Sequence, residues 1–229
     1  MNDPFVSIVV PAYNEAATIE EVLRRLSAVP FRSEVIVVDD GSTDGTGDLA
    51  GAVEGVRVIR RPRNAGKGAA VRDGIAATTG TIVVIQDADL EYDPKDLPAL
   101  LAPILEGHAD VVYGTRLRGG QPQRAHLFWH LMGNKFLSLL TNVLYNTTIS
   151  DMEVGYKAFR GDLVRDLDLI SDDFRIEPEL TAKVLRLRPG IRLYEVPISY
   201  YGRSYEEGKK ITWRDGFGAV GALVRFRFF

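Results

Sequence analysis

No cysteine occurs among the 229 residues, which excludes disulfides, thiolate zinc sites and thiol nucleophiles and fits a reducing compartment. There is no excess of positive charge either. The chain has 28 Lys and Arg against 31 Asp and Glu, a net charge of −3 and a pI near 5.7, which argues against a dedicated nucleic-acid binder. A secretory leader is not expected, because Met1-Asn2-Asp3-Pro4 lacks a basic segment and the apolar run 5–12 reads as a strand. A membrane span is not expected. The most apolar stretch, 127–145, is interrupted by His130, Asn134, Lys135 and Asn142, short of the roughly 18 uninterrupted apolar residues that a span needs. With no repeat, low-complexity tract or Pro/Gly/Ser linker, 1–229 reads as a single soluble or peripheral domain.

What is present is ordinary globular composition, 45% apolar and 26% charged, enough to bury a core without staples. The charge is unevenly spread, with a net of −8 over 1–114 and +5 over 115–229. That suits a protein holding a cation first and anionic groups later, or it is merely an uneven solvated surface. Short β-branched runs at 6–10, 34–38, 56–60, 81–86 and 110–113 alternate with helical patterns at 17–26, 46–52, 68–78 and 97–106. Strands apolar on both faces, alternating with helices, predict an α/β fold with a mostly parallel twisted sheet covered on both sides. The second half is less regular, with helices expected over 124–146 and 177–187, strands over 154–160 and 193–199, and a basic, aromatic tail over 200–229.

Ligands of such sheets bind beyond the carboxyl ends of the strands. Four of those ends carry polar clusters: Pro11-Ala12-Tyr13-Asn14-Glu15, Asp39-Asp40-Gly41-Ser42, Arg63-Asn64-Ala65-Gly66-Lys67-Gly68 and Asp87-Ala88-Asp89-Leu90-Glu91. Asp87 and Asp89, with Glu91 nearby, offer hard oxygen ligands to Mg²⁺ or Mn²⁺, which complete their shell with water and phosphate. The alternative is an acidic helix start before Pro94. Asp39, Asp40 and Lys67 on the same rim favour a metal-phosphate site. Carboxylates at Asp39 and Asp40 can accept from a ribose or base edge. Lys67, between two glycines at a helix start, can meet a phosphate with its charge and with backbone amides. Two other patterns fail. Gly45-x-Gly47-x-x-Ala50 lies several residues past its strand and lacks an acidic ribose ligand downstream, and Gly66-Lys67 lacks the Ser/Thr and earlier glycine of a P-loop.

The four rim clusters, in this order and spacing, resemble the signature of family 2 glycosyltransferases. Within that family the chain is most similar to dolichyl- and polyprenyl-phosphate sugar synthases. Tyr113-Gly114-Thr115-Arg116 with Gly119-Gly120, Asp151 through Gly155-Tyr156-Lys157-Ala158-Phe159-Arg160, and Arg203 with Gly208-Lys209-Lys210-Ile211 extend the likeness over most of the chain, less specifically. Glu91 stands where many relatives carry Gln. The resemblance implies a GT-A fold, a nucleotide-diphosphate sugar donor, an inverting reaction and Mg²⁺ or Mn²⁺. By the same likeness Pro11, Tyr13, Glu15 and Asp40 line the nucleoside pocket, with Asp39 nearby and Lys67 in support. Asp87, Asp89 and Glu91 hold the metal on the diphosphate. Arg116 and Arg203 grip phosphate, Arg203 that of the acceptor, although surface salt bridges are an equal alternative for both.

A phosphate acceptor is nucleophilic at neutral pH and needs positioning and charge neutralisation rather than a base. A hydroxyl acceptor would want a carboxylate base, for which Asp151 is the candidate, its alternative being a structural cap. The implied reaction is transfer of a hexose, mannose from GDP-mannose being favoured, to dolichyl or polyprenyl phosphate at the cytoplasmic face of a membrane. Residues 1–114 form the donor and metal half, 115–199 the acceptor half and 200–229 a membrane-facing tail, with a membrane-anchoring partner as a further expectation. Leu127, Phe128, Leu131, Phe136, Leu139, Leu140 and Val143, together with Arg225, Phe226, Arg227, Phe228 and Phe229, supply a basic-aromatic edge for that surface or, in the case of the helix stripe, simply core.

Overall fold

The computed structural model describes residues 4–122, 124, 128–187, 189–203 and 213–229. Seven strands form one sheet: β1 (Val6–Ala12), β2 (Ser33–Asp39), β3 (Val56–Arg60), β4 (Ile82–Ile85), β5 (Val111–Thr115), β6 (Lys157–Arg160) and β7 (Leu193–Pro197), in the order β3-β2-β1-β4-β6-β5-β7. β1 pairs in parallel with β2 and β4, β2 with β3, and β5 with β7. β6 alone is reversed, running antiparallel to β4 and β5. β1 and β4 are Val/Ile-rich and almost wholly buried, as strands covered on both faces must be.

The helices are α1 (Ile19–Leu26), α2 (Thr46–Gly51), α3 (Lys67–Ala76), α4 (Leu97–Leu105), α5 (Phe128–Tyr145), α6 (Gly161–Arg165), α7 (Ile176–Arg186) and α8 (Trp213–Phe228). α1 shows why the first half was readable. It buries Ile19, Val22, Leu23 and Leu26 at helical spacing, with Glu20 and Glu21 in its first turn and Arg24 and Arg25 in its last. Each such burial contributes roughly 1.5–3 kcal/mol. α3 lies close on the sheet because its inner face is small: Gly68, Ala69, Ala70 and Gly74 are buried, and a Cβ at Gly74 would strike Val9.

Differences from expectation lie in the second half. α6 and α8 were not foreseen. α8 carries Gly216, Gly218 and Gly221, poor helix formers, so local preference is weak and packing decides. Its Ala219, Ala222, Leu223 and Phe226 are buried, and it is tied down where Tyr145 Oη donates to the Leu223 carbonyl (2.8 Å) and Arg186 Nη1 to that of Phe226 (3.0 Å). α5 turns only Leu137, Ser138, Thr141 and Tyr145 fully inward. Phe128, Trp129, Phe136, Leu139 and Val143 are exposed, Val143 to 73%, so much of the predicted stripe is surface rather than core. Leu127 and Gly208 through Ile211 lie outside the described residues.

Candidate active site

The four rim clusters meet over the carboxyl ends of β1, β2 and β4, around a cleft of about 430 Å³. Its loops are tied together strand to strand. Asn14, at φ +51°, accepts from the Thr43 amide (2.9 Å), and the amides of Glu15 and Ala16 donate to Thr46 Oγ1 (2.8 Å) and Asp44 Oδ2 (3.0 Å). Asp40 is buried in the floor. It accepts from the amides of Ala65 (3.1 Å) and Gly66 (2.7 Å) and pairs with Arg61 Nε (3.0 Å), which fixes the turn into α3. Gly66 has φ +106°, and a Cβ there would meet the Asp172 carbonyl. Pro11, Tyr13 and Glu15 also line the cleft. Asp39 does not line it. Its Oδ1 accepts from the Ser42 amide (2.9 Å) and holds the turn beside the cleft.

Lys67, the first residue of α3, pairs with Asp87 Oδ1 (2.8 Å) and Glu177 Oε1 (3.1 Å). Burial opposes its charge, but the two carboxylates outweigh burial and hold the ammonium well above the ordinary lysine value. Asp89 is pushed up to about 7 by burial and by the charges of Asp87 and Glu91, against the pull of Arg203. Arg203 is the cation in their midst. Its Nη1 and Nη2 donate to Glu15 (3.1 and 3.0 Å), Nη2 also reaches Asp89 Oδ2 (3.0 Å), and its backbone amide donates to Glu91 Oε1 (2.8 Å). Glu91 Oε2 accepts from Tyr200 Oη (2.9 Å). Asp87, Asp89 and Glu91 therefore share the cleft, as the sequence suggested, but each faces a protein donor. Among the described residues no three carboxylate or imidazole groups stand ready to hold an ion.

On the far wall Arg116 and Asp151 form a buried two-point pair, Nε to Oδ2 and Nη2 to Oδ1, both 2.7 Å, and the Arg116 amide donates to Oδ2 as well (3.0 Å). Burial works against the Asp151 carboxylate, but Arg116 more than compensates and holds it below the usual carboxylate range. A carboxylate so held is a poor proton acceptor, which weighs against Asp151 as the base that a hydroxyl acceptor would want. It orients Arg116, whose Nη1 stays outside the pair and whose guanidinium stacks 5.0 Å from the Tyr200 ring centre.

Several lining residues had no motif to mark them: Tyr92, His130, Asn134, Glu153, Glu177 and Tyr200. Tyr92 stacks on Tyr156 (5.4 Å) and, tilted, on Tyr200 (5.5 Å), and its Oη accepts from the Gly155 amide (3.2 Å). The block Asp151 to Arg160 marked the neighbourhood of Glu153, and only its apolar context in 151–156 would have singled it out.

A seven-stranded sheet with one reversed strand, and an acidic cleft with Lys and Arg over its rim, is the GT-A architecture of glycosyltransferases. Residues 7–167 match Glycosyl transferase family 2, and the chain belongs to that family and is a glycosyltransferase. It is 36% identical over 220 residues to an undecaprenyl-phosphate mannosyltransferase of Micrococcus luteus, spanning 89% of this chain and 86% of that one. It is 28% identical over 221 residues to a dodecaprenyl-phosphate galacturonate synthase of Rhizobium johnstonii, spanning 91% of this chain but 63% of that longer one. Among solved structures, glucosyl-3-phosphoglycerate synthase of Mycobacterium tuberculosis, in complex with Mn²⁺, uridine diphosphate and phosphoglyceric acid, superposes with a TM-score of 0.78. Its identity is 25%, over 99% of this chain and 79% of that one.

Proposed function

We propose that the cleft transfers a hexose, mannose from GDP-mannose in the first instance, from a nucleotide-diphosphate sugar to a polyprenyl or dolichyl phosphate at a membrane surface, on its cytoplasmic face. The observation that carries this reading is the double character of α5. The helix lines the cleft through His130 and Asn134, and it exposes Phe128, Trp129, Phe136, Leu139 and Val143. α8 packs beside it and exposes Phe217, Phe228 and Phe229 next to Arg225 and Arg227. Aromatic, aliphatic and basic side chains together fit an anionic lipid interface. A polyprenyl chain gains roughly 0.8 kcal/mol per buried CH₂ and so stays in the bilayer, where the enzyme must meet it. Among the described residues no helix is long and apolar enough to cross a membrane, so this edge, or a membrane-anchoring partner, would hold the chain there. The two polyprenyl-phosphate relatives support the acceptor class.

The cleft fits a divalent ion. Burial first, and then the charges of Asp87 and Glu91, push the Asp89 carboxyl up, so hard oxygen donors are gathered where a cation would favour their ionised form. Asp87 and Asp89 would hold Mg²⁺ or Mn²⁺ with the diphosphate, and Glu91, which accepts from Tyr200 and the Arg203 amide, would join them. When bound, such an ion neutralises the departing nucleoside diphosphate. The chain's own residues do the rest. Pro11, Tyr13, Glu15 and Asp40 receive the nucleoside, Lys67 adds charge near the diphosphate, and Arg116, aimed by Asp151, with Arg203 orients the acceptor phosphate. That phosphate attacks the anomeric carbon from the face opposite the leaving group, giving inversion with no protein base. Mutual orientation and charge stabilisation carry such a reaction.

The test is transfer from labelled GDP-mannose and UDP-glucose into organic-extractable lipid, with polyprenyl phosphate, Mn²⁺ and an EDTA control. Metal-dependent label in the lipid phase is expected, from the mannose donor first. Label that appears only on water-soluble acceptors would overturn the lipid-phosphate reading.

A further inference from the structure

The rim of the sheet sets out the subsites in order. From β2 through β1 to β4 the cleft is lined by Asp40, then Pro11 to Glu15, then Asp87 to Glu91. The next strand, β6, runs against β4, with Lys157 beside Ile85, so its amino end comes to this rim. The residues just before Lys157 therefore continue the lining beyond the Asp87 corner and before Arg116, which follows β5. Gly155 lies against that corner: a Cβ there would strike the Asp87 carboxylate and come within 3.1 Å of Lys67 Nζ. Glu153 is two residues earlier and lines the cleft.

Glu153 differs from the other carboxylates around the cleft. Asp40, Asp87, Asp89, Glu15, Glu177 and Asp151 each face a cation. Glu153 Oε1 is buried and has no protein hydrogen-bond partner. The cations whose fields reach it are committed elsewhere, Lys157 to Glu177 and to the carbonyls of Met152 and Val154, Arg116 to Asp151. Burial pushes the Glu153 carboxyl up to about 7. A buried acceptor left without a donor is unfavourable, so such a group marks a place where a ligand completes the bonding. An ionised phosphate and a prenyl chain bring no hydrogen-bond donor to that acceptor. A sugar hydroxyl meets the requirement and belongs at this station, between diphosphate and acceptor phosphate.

Resting on the function proposed above, we infer that Glu153 is a specificity residue that accepts a hydrogen bond from a hydroxyl of the transferred hexose. The experiment compares wild type, Glu153→Gln and Glu153→Ala, all with Mn²⁺, by calorimetric titration with GDP and GDP-mannose, and with UDP and UDP-glucose. The nucleoside diphosphate should bind all three proteins alike. The nucleotide sugar should lose about ten- to a hundredfold in affinity with Ala and less with Gln. One monodeoxy donor should be penalised by wild type and not further by Glu153→Ala.

Equal binding of the nucleotide sugar by all three proteins overturns the inference while leaving the donor reading intact. A loss confined to kcat, with donor binding unchanged, overturns it in favour of a proton acceptor. Failure of wild type to bind either nucleotide overturns the donor reading and this inference together. Since no protein bond to Oε1 is lost, Glu153→Gln should melt at or above the wild-type temperature. A variant that unfolds would show that Glu153 serves the fold instead.

Discussion

The two walls of the cleft are held by different forces. Over β1, β2 and β4 the loops are joined by backbone amides donating to nearby side chains, as with Asn14 and Thr43, Glu15 and Thr46, or Asp40 and Gly66. Over β6 and β5 the ties are ion pairs between distant segments, Arg116 with Asp151 and Lys157 with Glu177, and Arg203 crosses to Glu15 on the first wall, 188 residues away. The first wall is held mainly by such amide bonds, beside the pairs of Arg61 with Asp40 and Lys67 with Asp87. The second is a set of buried charges, each of which becomes a liability when its partner is removed.

The sharpest break between the walls should come from stability. Asp151→Ala strands the Arg116 guanidinium in a buried site and should lower stability by about 3–5 kcal/mol. Asp44→Ala, on the other wall, removes acceptors for Ala16 and Thr46 near solvent and should cost about 1 kcal/mol. Urea denaturation of the two variants decides the matter. Equal losses would mean that the walls do not differ in kind.

Activity should reverse that ranking. Asp89→Asn is expected to lower transfer at least about a hundredfold with no loss of melting temperature, because burial already works against the Asp89 carboxylate. Glu91→Gln should keep Oε1 for the Arg203 amide and stay within about tenfold of wild type, since an amide serves the same contacts. A collapse of metal binding in Glu91→Gln, read by Mn²⁺ paramagnetic resonance, would make Glu91 an obligatory ligand.

The contrast also explains what could be read from the sequence. The first wall is written in continuous stretches, each a strand followed by its own turn, so the place of Asp40, Lys67, Asp87 and Asp89 on the cleft was legible from the strand ends. The second is assembled across the chain. Nothing near Arg203 says that Glu15 and Asp89 will surround it, and nothing near Tyr200 points to Glu91. α5 was legible as a helix, but which of its apolar side chains face outward depends on where α7 and α8 pack. α8 escaped because its glycines weaken the local signal that burial of Leu223 and Phe226 overrides. Asp151 could be picked out by its block, but its pairing with Arg116, 35 residues away, could not.

The exposed edge of α5 gives a smaller effect that belongs to the second wall alone. Phe136→Ser with Leu139→Ser removes two large exposed apolar side chains that do not line the cleft. Binding to vesicles containing anionic lipid should weaken by about tenfold or more, while GDP binding in solution stays unchanged. Unchanged vesicle binding would leave the edge without a lipid role.

The smallest effect comes from the two ends of β5, where each carboxylate is buried but its arginine is buried at one end and exposed at the other. At its end, over the cleft, Arg116 and Asp151 are buried. At its start Asp110 takes two bonds from Arg192, Nε at 3.0 Å and Nη2 at 2.9 Å, but the arginine side chain is 52% exposed. Arg192 holds the Asp110 carboxyl well below its usual value. A depressed folded value means that the pair adds stability above the ordinary carboxylate range and loses it as the pH falls through the depressed one. Solvent screening keeps the contribution small, so Asp110→Asn should lower the melting temperature at pH 7 by at most about 2 °C. That difference should shrink in high salt and vanish in strong acid, whereas the deficit of Asp151→Ala should be insensitive to salt. A salt-sensitive deficit at Asp151, or a large salt-insensitive one at Asp110, would contradict burial as the variable that separates the two ends.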